Sequence, residues 1–215
     1  MTGNGVSWIN WFCSKKGNEF YVKVPIEYIM DGFNLTGLAS LTPLYKEALE
    51  MILDIESEDD EMSNKIPDIS LLEPHAIAMY GMIHQRYITT RAGLNRMLTK
   101  YKSGVFGTCP RYYCQGSKVL PCGQADRPKE ESLRLYCPNC KDIYIPNDDY
   151  HAALDGAHFG TTFPHLFTQA FEESIPPFQS NTYTPKLFGF KLSGQSPTGP
   201  TMQWLRLNPD GNVHG

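Results

Sequence analysis

Four cysteines constrain this 215-residue chain more than any other feature: "CPRYYC" at 109–114 and "CPNC" at 137–140, with 22 residues between the pairs. Tetrahedral zinc takes four soft ligands from two short turns that the intervening chain brings together, and this spacing allows it. Cys109, Cys114, Cys137 and Cys140 would fill every coordination position with thiolate. No place is left for a water, so one zinc per chain is expected, structural and not catalytic. A redox role for Cys137 and Cys140 alone would need a strand running into a helix, whereas "CPNCKDIYIP" continues as a strand. Cys122 in "LPCG" and Cys13 in "NWFCSKK" are read as non-ligands, free thiols commonly being buried as small apolar groups.

The compartment supports a metal over disulfides. The start, "MTGNGVSWINWFCSKK", lacks a basic segment followed by an apolar run and a small-residue cleavage site, and no later stretch is apolar enough to span a bilayer. An intracellular protein is expected, in which paired cysteines bind metal. The sequon Asn34-Leu35-Thr36 then carries no weight.

Three zones are expected around this knuckle pair. Residues 1–104 read as an all-helical domain: "PLYKEALEMILDIE" aligns Leu44, Leu49, Ile52 and Leu53, and "LLEPHAIAMYGMIHQRYI" aligns Ile77, Tyr80, Ile83, Tyr87 and Ile88, with Pro74 in a first turn. Thr90 caps a further helix, "RAGLNRMLTKY", with Leu94, Met97, Leu98 and Tyr101 on one face. Residues 105–161 read as a small β zinc ribbon with strands at 133–136 and 142–145. Residues 162–215 hold seven of the sixteen prolines and read as an irregular C-terminal tail. The fold class is therefore mainly α with a four-cysteine ribbon.

Charge decides what the ribbon touches. The chain carries a net −4, and residues 105–161 hold six cations against seven anions. That balance lacks the electrostatic attraction behind most affinity for phosphate backbones, which disfavours nucleic acid. Val105, Phe106, Tyr112, Tyr113, Leu120, Tyr136, Ile143 and Tyr144 exceed what so small a module would bury, and point to a protein interface.

The opposite extreme is "DIESEDDE", residues 54–61, where Asp54, Glu56, Glu58, Asp59, Asp60 and Glu61 stand without a cation. It is either a solvated, self-repelling loop or a binding site for polyamines and basic proteins. Ser57, followed by three acids, fits an acid-directed phosphorylation site. Chemistry is not in view: there is no phosphate loop, "HExxH", nucleophile elbow or kinase signature, and "GQSPTG" at 194–199 lacks the elbow's context. His158 and His165 are a weak metal pair, better read as structural hydrogen bonders.

Several stretches together resemble the regulatory beta subunit of casein kinase II: "SWINWFCSKKGNEFY", "FNLTGL", "ALEMILDIE", "MYGMIHQRYITTRAGLNRMLTKY", "FGTCPRYYC", "LYCPNCKDIYIP", "DGAHFGTTFPH" and "PKLFGFKL". The resemblance covers most of residues 7–192. It implies a non-catalytic kinase subunit of cytoplasm and nucleus, with zinc on the four matched cysteines. Two copies would pair through the ribbon, with Pro110, Tyr112, Tyr113 and Ile143 at the contact. Each dimer would bind catalytic alpha subunits, altering their stability, activity and substrate choice. The docking segment corresponds to "KLFGFKL", with Leu187, Phe188 and Phe190 as anchors; large apolar side chains in a polar, proline-rich tail are usual interface anchors. Trp204 and Leu205 fit either an anchor or a packing role.

The departures mark a divergent paralogue. "MTGNGV" replaces a serine-rich acidic start, Phe188 stands where tyrosine is usual, "VLPCGQADRPKEES" and "HAALDGAHFGTTFPH" differ from the pattern, and the tail after 193 is unfamiliar. Such a chain could pair with itself or with a more typical beta subunit. Two alternatives stand beside this reading: a zinc-ribbon nucleic-acid-binding protein, and a family member that kept the fold and lost kinase binding.

Overall fold

A computed structural model describes residues 6–55, 69–175 and 186–191. Helix α4, Ile69–Ile88, is the axis on which the rest is laid. It packs on α3 (Tyr45–Leu53) on one side and α5 (Arg91–Ser103) on another, and a turn at Gly156–His158 covers a third. The stripe of Tyr80, Ile83, Tyr87 and Ile88 is buried as the periodicity predicts, with Ile77 partly so. Ala76, Met79, Met82 and His84 are buried as well, which spreads contact around the helix. A helix apolar on most sides is a core helix, not a surface one. Pro74 lies inside it and not in its first turn, because the helix begins at Ile69.

Gly81 is the reason the third side closes. A Cβ there would fall 2.1 Å from the His158 ring. Glycine in a helix interior costs about 1 kcal/mol relative to alanine, and here the vacant space is filled by an imidazole. That imidazole joins a buried polar chain: Tyr21 Oη lies 2.7 Å from His158 Nδ1, the His158 carbonyl accepts from His84 Nδ1 at 2.8 Å, and His84 Nε2 accepts from the Val22 amide at 3.1 Å. Burial keeps both rings neutral, His84 being pushed down to about 3 and His158 to about 4. Around them Trp8 and Phe12 of α1 (Trp8–Ser14) stack on each other and meet Tyr80 edge-on.

Thr90 caps α5 as expected, its Oγ1 accepting from the Gly93 amide at 3.1 Å. Leu94, Met97 and Tyr101 are buried and Leu98 partly so. The short helix α2 (Ile26–Met30) leads into two 3-10 turns.

The ribbon is an antiparallel sheet in the order β1 (Leu120–Cys122), β2 (Arg134–Cys137), β3 (Asp142–Tyr144). Leu120 faces Tyr136, and Tyr136 faces Ile143. The first strand escapes a sequence reading because "LPC" carries a proline, which an edge strand tolerates. Two residues expected on the ribbon surface are buried: Phe106 meets Phe20 edge-on at 5.3 Å, and Leu120 lies inside the sheet. The ribbon thus shares a core with the helices, and one buried cluster runs from Trp8 to Phe167.

Following α6 (Asp149–Ala152), the proline-rich segment opens with order: α7 (Phe163–Ala170) buries Phe163 and Phe167, and Phe167 packs edge-on against Tyr101. Pro164 sits in its first turn, where a missing amide proton costs nothing. His165 is exposed and well apart in role from His158. The last described segment is a hairpin of β4 (Lys186–Leu187) and β5 (Phe190–Lys191). Trp204 and Leu205 lie outside the described residues.

Candidate metal centre

The four cysteines come from two matching knuckles. Cys109 follows an isolated bridge between Thr108 and Lys118, and its amide donates to the Ser117 carbonyl at 2.8 Å. Cys114 ends a 3-10 turn, Tyr112–Cys114. Cys137 ends β2, and the Lys141 amide returns to its carbonyl at 2.8 Å across the turn that holds Cys140. In each knuckle the residue after the second cysteine, Gln115 or Lys141, has a positive φ. That left-handed step reverses the chain so that both thiols of a pair face the same point.

All four Sγ atoms lie within 4.8 Å of one another, with Cys109 to Cys140 at 3.8 Å and Cys114 to Cys137 at 3.9 Å. A tetrahedron of sulfurs about 2.3 Å from a central zinc has edges of about 3.8 Å, so the donor set fits such an ion. Burial pushes the Cys114 thiol up to about 11 and raises Cys137 further. For Cys140 burial also opposes ionisation, but hydrogen bonding, first from Tyr144 Oη at 3.1 Å, outweighs it and lowers the thiol. Four thiolates this close repel one another, and a dication at their centre removes that cost. Tyr144 is the contributor that sequence reasoning missed as a ligand partner; its place is four residues after Cys140, on the strand returning from the knuckle. Such outer hydrogen bonds orient a ligand and tune its basicity.

The remaining thiols are elsewhere. Cys122 is buried in β1, its thiol pushed up to about 12 by burial, and Cys13 Sγ lies 3.6 Å from Tyr80 Oη. Neither belongs to the cluster.

Pro110, Tyr112, Tyr113 and Ile143 lie on and beside these knuckles. Tyr112 is 87% exposed and meets Tyr113 edge-on, Tyr113 is half-buried, and Pro110 and Ile143 are exposed. The hairpin presents its anchors to solvent even more fully, with Phe188 93% and Phe190 79% exposed and Leu187 also exposed. Phe188 and Gly189 form the turn with φ of 51° and 88°, the two left-handed residues of the tight turn that suits a twisted hairpin.

The acidic stretch divides. Asp54 ends α3 in a left-handed conformation, and its carboxylate accepts from the Trp8 amide at 3.0 and 3.1 Å, holding the start of α1. Glu56, Ser57, Glu58, Asp59, Asp60 and Glu61 lie outside the described residues.

Against known proteins, the family model for the casein kinase II regulatory subunit matches residues 7–191, a span that takes in the helices, the cysteine cluster and the hairpin. The chain belongs to that family. Among curated relatives, it is 46% identical to casein kinase II subunit beta-2 of Schizosaccharomyces pombe over 205 residues, covering 94% of this chain and 80% of the relative. It is 46% identical over 190 residues to a putative casein kinase II subunit beta-4 of Arabidopsis thaliana, covering 88% and 67%. With casein kinase II subunit beta' of Drosophila melanogaster the identity is 46% over 186 residues, covering 86% and 84%. Casein kinase II regulatory subunits are non-catalytic, which accords with a site closed by four sulfurs and built for structure.

Proposed function

We propose that this casein kinase II regulatory subunit assembles in three steps: zinc on Cys109, Cys114, Cys137 and Cys140 orders the ribbon, the ribbon pairs two subunits, and the 186–191 hairpin docks on a catalytic alpha subunit. The pairing partner is a second copy or a paralogous beta subunit, met through Pro110, Tyr112, Tyr113 and Ile143. Docking then adjusts the stability, activity and substrate choice of the kinase. The acidic stretch receives polyamines or basic proteins through Glu56–Glu61, with Ser57 a phosphate acceptor, and the complex works in cytoplasm and nucleus.

One observation carries the reading above the others. Leu187, Phe188 and Phe190 stand on a two-residue turn, without a core of their own, inside the span shared with the family. A paired two-residue turn that already sets the direction of its aromatic side chains lowers the ordering cost of binding. Zinc is supported by the sulfur distances, and its role is to hold the knuckles closed.

Co-purification with a casein kinase II catalytic subunit tests this. The wild-type chain is expected to retain the kinase and Phe190→Ala to lose it, an anchor of this kind being worth about 2 kcal/mol or more. A wild-type chain that retains no kinase overturns the reading. Equal retention by the variant removes the hairpin from it.

A further inference from the structure

We infer that the outer face of α5 is a docking surface for an acidic segment of a partner protein, distinct from the hairpin and from the ribbon. The chain as a whole is acidic, at net −4, yet between Glu73 and Asp126 it has no carboxylate. The same stretch holds seven cations: Arg86, Arg91, Arg96, Lys100, Lys102, Arg111 and Lys118. Four of them lie on α5, whose inner face is taken by Leu94, Met97 and Tyr101. Arg91, Arg96 and Lys102 are exposed on the outer side, and Lys100 is half-buried at its margin.

These cations are held in place without being neutralised. Arg96 Nη1 donates to the Lys23 carbonyl and Lys100 Nζ to the Glu19 carbonyl, both at 2.6 Å, and Lys118 Nζ donates to the Lys102 carbonyl. A neutral carbonyl orients a cationic head and leaves its charge. Among the described residues, Arg91, Arg96, Lys100, Lys102 and Lys118 make no salt bridge. The nearby Glu19 carboxylate is turned instead to His151 and the Gly17 amide. Arg91 and Lys102 use no side-chain bond in the fold at all among the described residues.

Arg96 and Lys100 tie α5 to the 19–23 segment through those carbonyls, yet as an i,i+4 pair of like charge they cost the helix a few tenths of a kcal/mol, and Arg91 and Lys102 add further unbalanced charge on its solvent side. A ligand of opposite charge relieves it. The helix is about 20 Å long, which an extended run of about six residues spans. Apart from Ala92 the face presents no apolar residue, so a partner is recognised by charge, with fast, salt-sensitive association. An acidic peptide fits better than a nucleic acid. A duplex extends its charge well past 20 Å and would meet the anions at 126, 130 and 131 and at 148, 149 and 155.

The test uses the full chain and a fluorescently labelled Asp/Glu-run peptide of about ten residues, read by anisotropy at about 50 mM and about 300 mM salt. Binding is expected at low salt, weakening about tenfold in the double variant Arg91→Gln, Lys102→Gln. These side chains support nothing in the fold, so an unchanged melting temperature accompanies the loss. Lys46→Gln with Arg127→Gln removes the same charge at cations already paired with Glu50 and Glu130, and is expected to change binding by less than about twofold. The proposal is overturned if the α5 variant binds as well as wild type, or if the control loses as much. It is overturned too if a short DNA duplex displaces the peptide at equal concentration, or if sedimentation shows salt-dependent self-association that the α5 variant abolishes, which would make the occupant a second copy.

Discussion

The core around α4 and the ribbon solve the same problem in different ways. Around α4, buried polar groups satisfy one another: Tyr21, His158, His84 and Val22 form a chain of hydrogen bonds, and Tyr80 Oη both donates to the Val22 carbonyl and accepts from the Val24 amide. No described buried side-chain nitrogen or oxygen is left without a partner. The ribbon has strands of three, four and three residues, and its most concentrated polar feature is four clustered thiols. One region closes with its own hydrogen bonds. The other calls for an ion, because so short a sheet has little area to bury and its thiols cannot all ionise without one.

The largest effect that would sharpen this contrast is at the metal. Cys137→Ser should abolish metal binding, removing folding free energy on the order of 10 kcal/mol or more from the ribbon, as in zinc-finger peptides. Hydrogen exchange is expected to rise through 108–144 while the amides of α4 stay protected; equal loss of protection in α4 would erase the distinction between the regions.

Acid attacks the other region. His84 is neutral and satisfied as it stands, donating from Nδ1 and accepting at Nε2. Its folded value, pushed down by burial to about 3, lies below the ordinary value of 6.5, so the unfolded chain binds the extra proton first. Stability from this group is complete above pH 6.5 and is lost as pH falls toward 3. By pH 4.5 the loss is on the order of 3 kcal/mol, and His158 adds to it in the same direction. Urea midpoints of wild type and His84→Gln should converge on acidification; parallel curves would show that His84 is not the group responsible.

Gly81→Ala is expected to cost about 1 to 3 kcal/mol, since the new methyl must displace the His158 ring. A melting temperature raised by the better helix former would mean that His158 moves freely. At the small end, Phe188→Ala should leave the melting temperature unchanged within about 1 °C, surface side chains contributing little to stability. A clear drop would place the hairpin within the core's economy instead of outside it.

Much of this was legible in the sequence where a pattern is local. Cysteine spacing located the knuckles, Thr90 marked the start of α5, and the apolar steps found α3, α4 and α5 but not α1 or α2. What stayed hidden depends on neighbours distant in sequence. Phe106 and Leu120 looked like surplus surface because what covers them, Phe20 for the one and β2 with α7 for the other, lies elsewhere in the chain. The burial of α4 on several sides blurs the very periodicity by which a helix is read. Tyr144 bonds to Cys140 only once β3 has turned back, and the prolines of 162–175 concealed a helix whose Phe163 and Phe167 reach the shared core. Asp54 shows the converse: one acid among six by sequence, it is by structure the acceptor for the Trp8 amide at the start of α1, beside the Ser7 cap.

The central claim is that four thiolates enclose one zinc, and metal analysis combined with thiol titration of the native chain tests it most directly. Of six cysteines, four form the cluster. The account predicts one zinc per chain, with the four cluster thiols unreactive until a chelator is added and then reactive as the metal leaves. A native protein without bound metal, whose cluster thiols react at once while the ribbon stays folded, would contradict it.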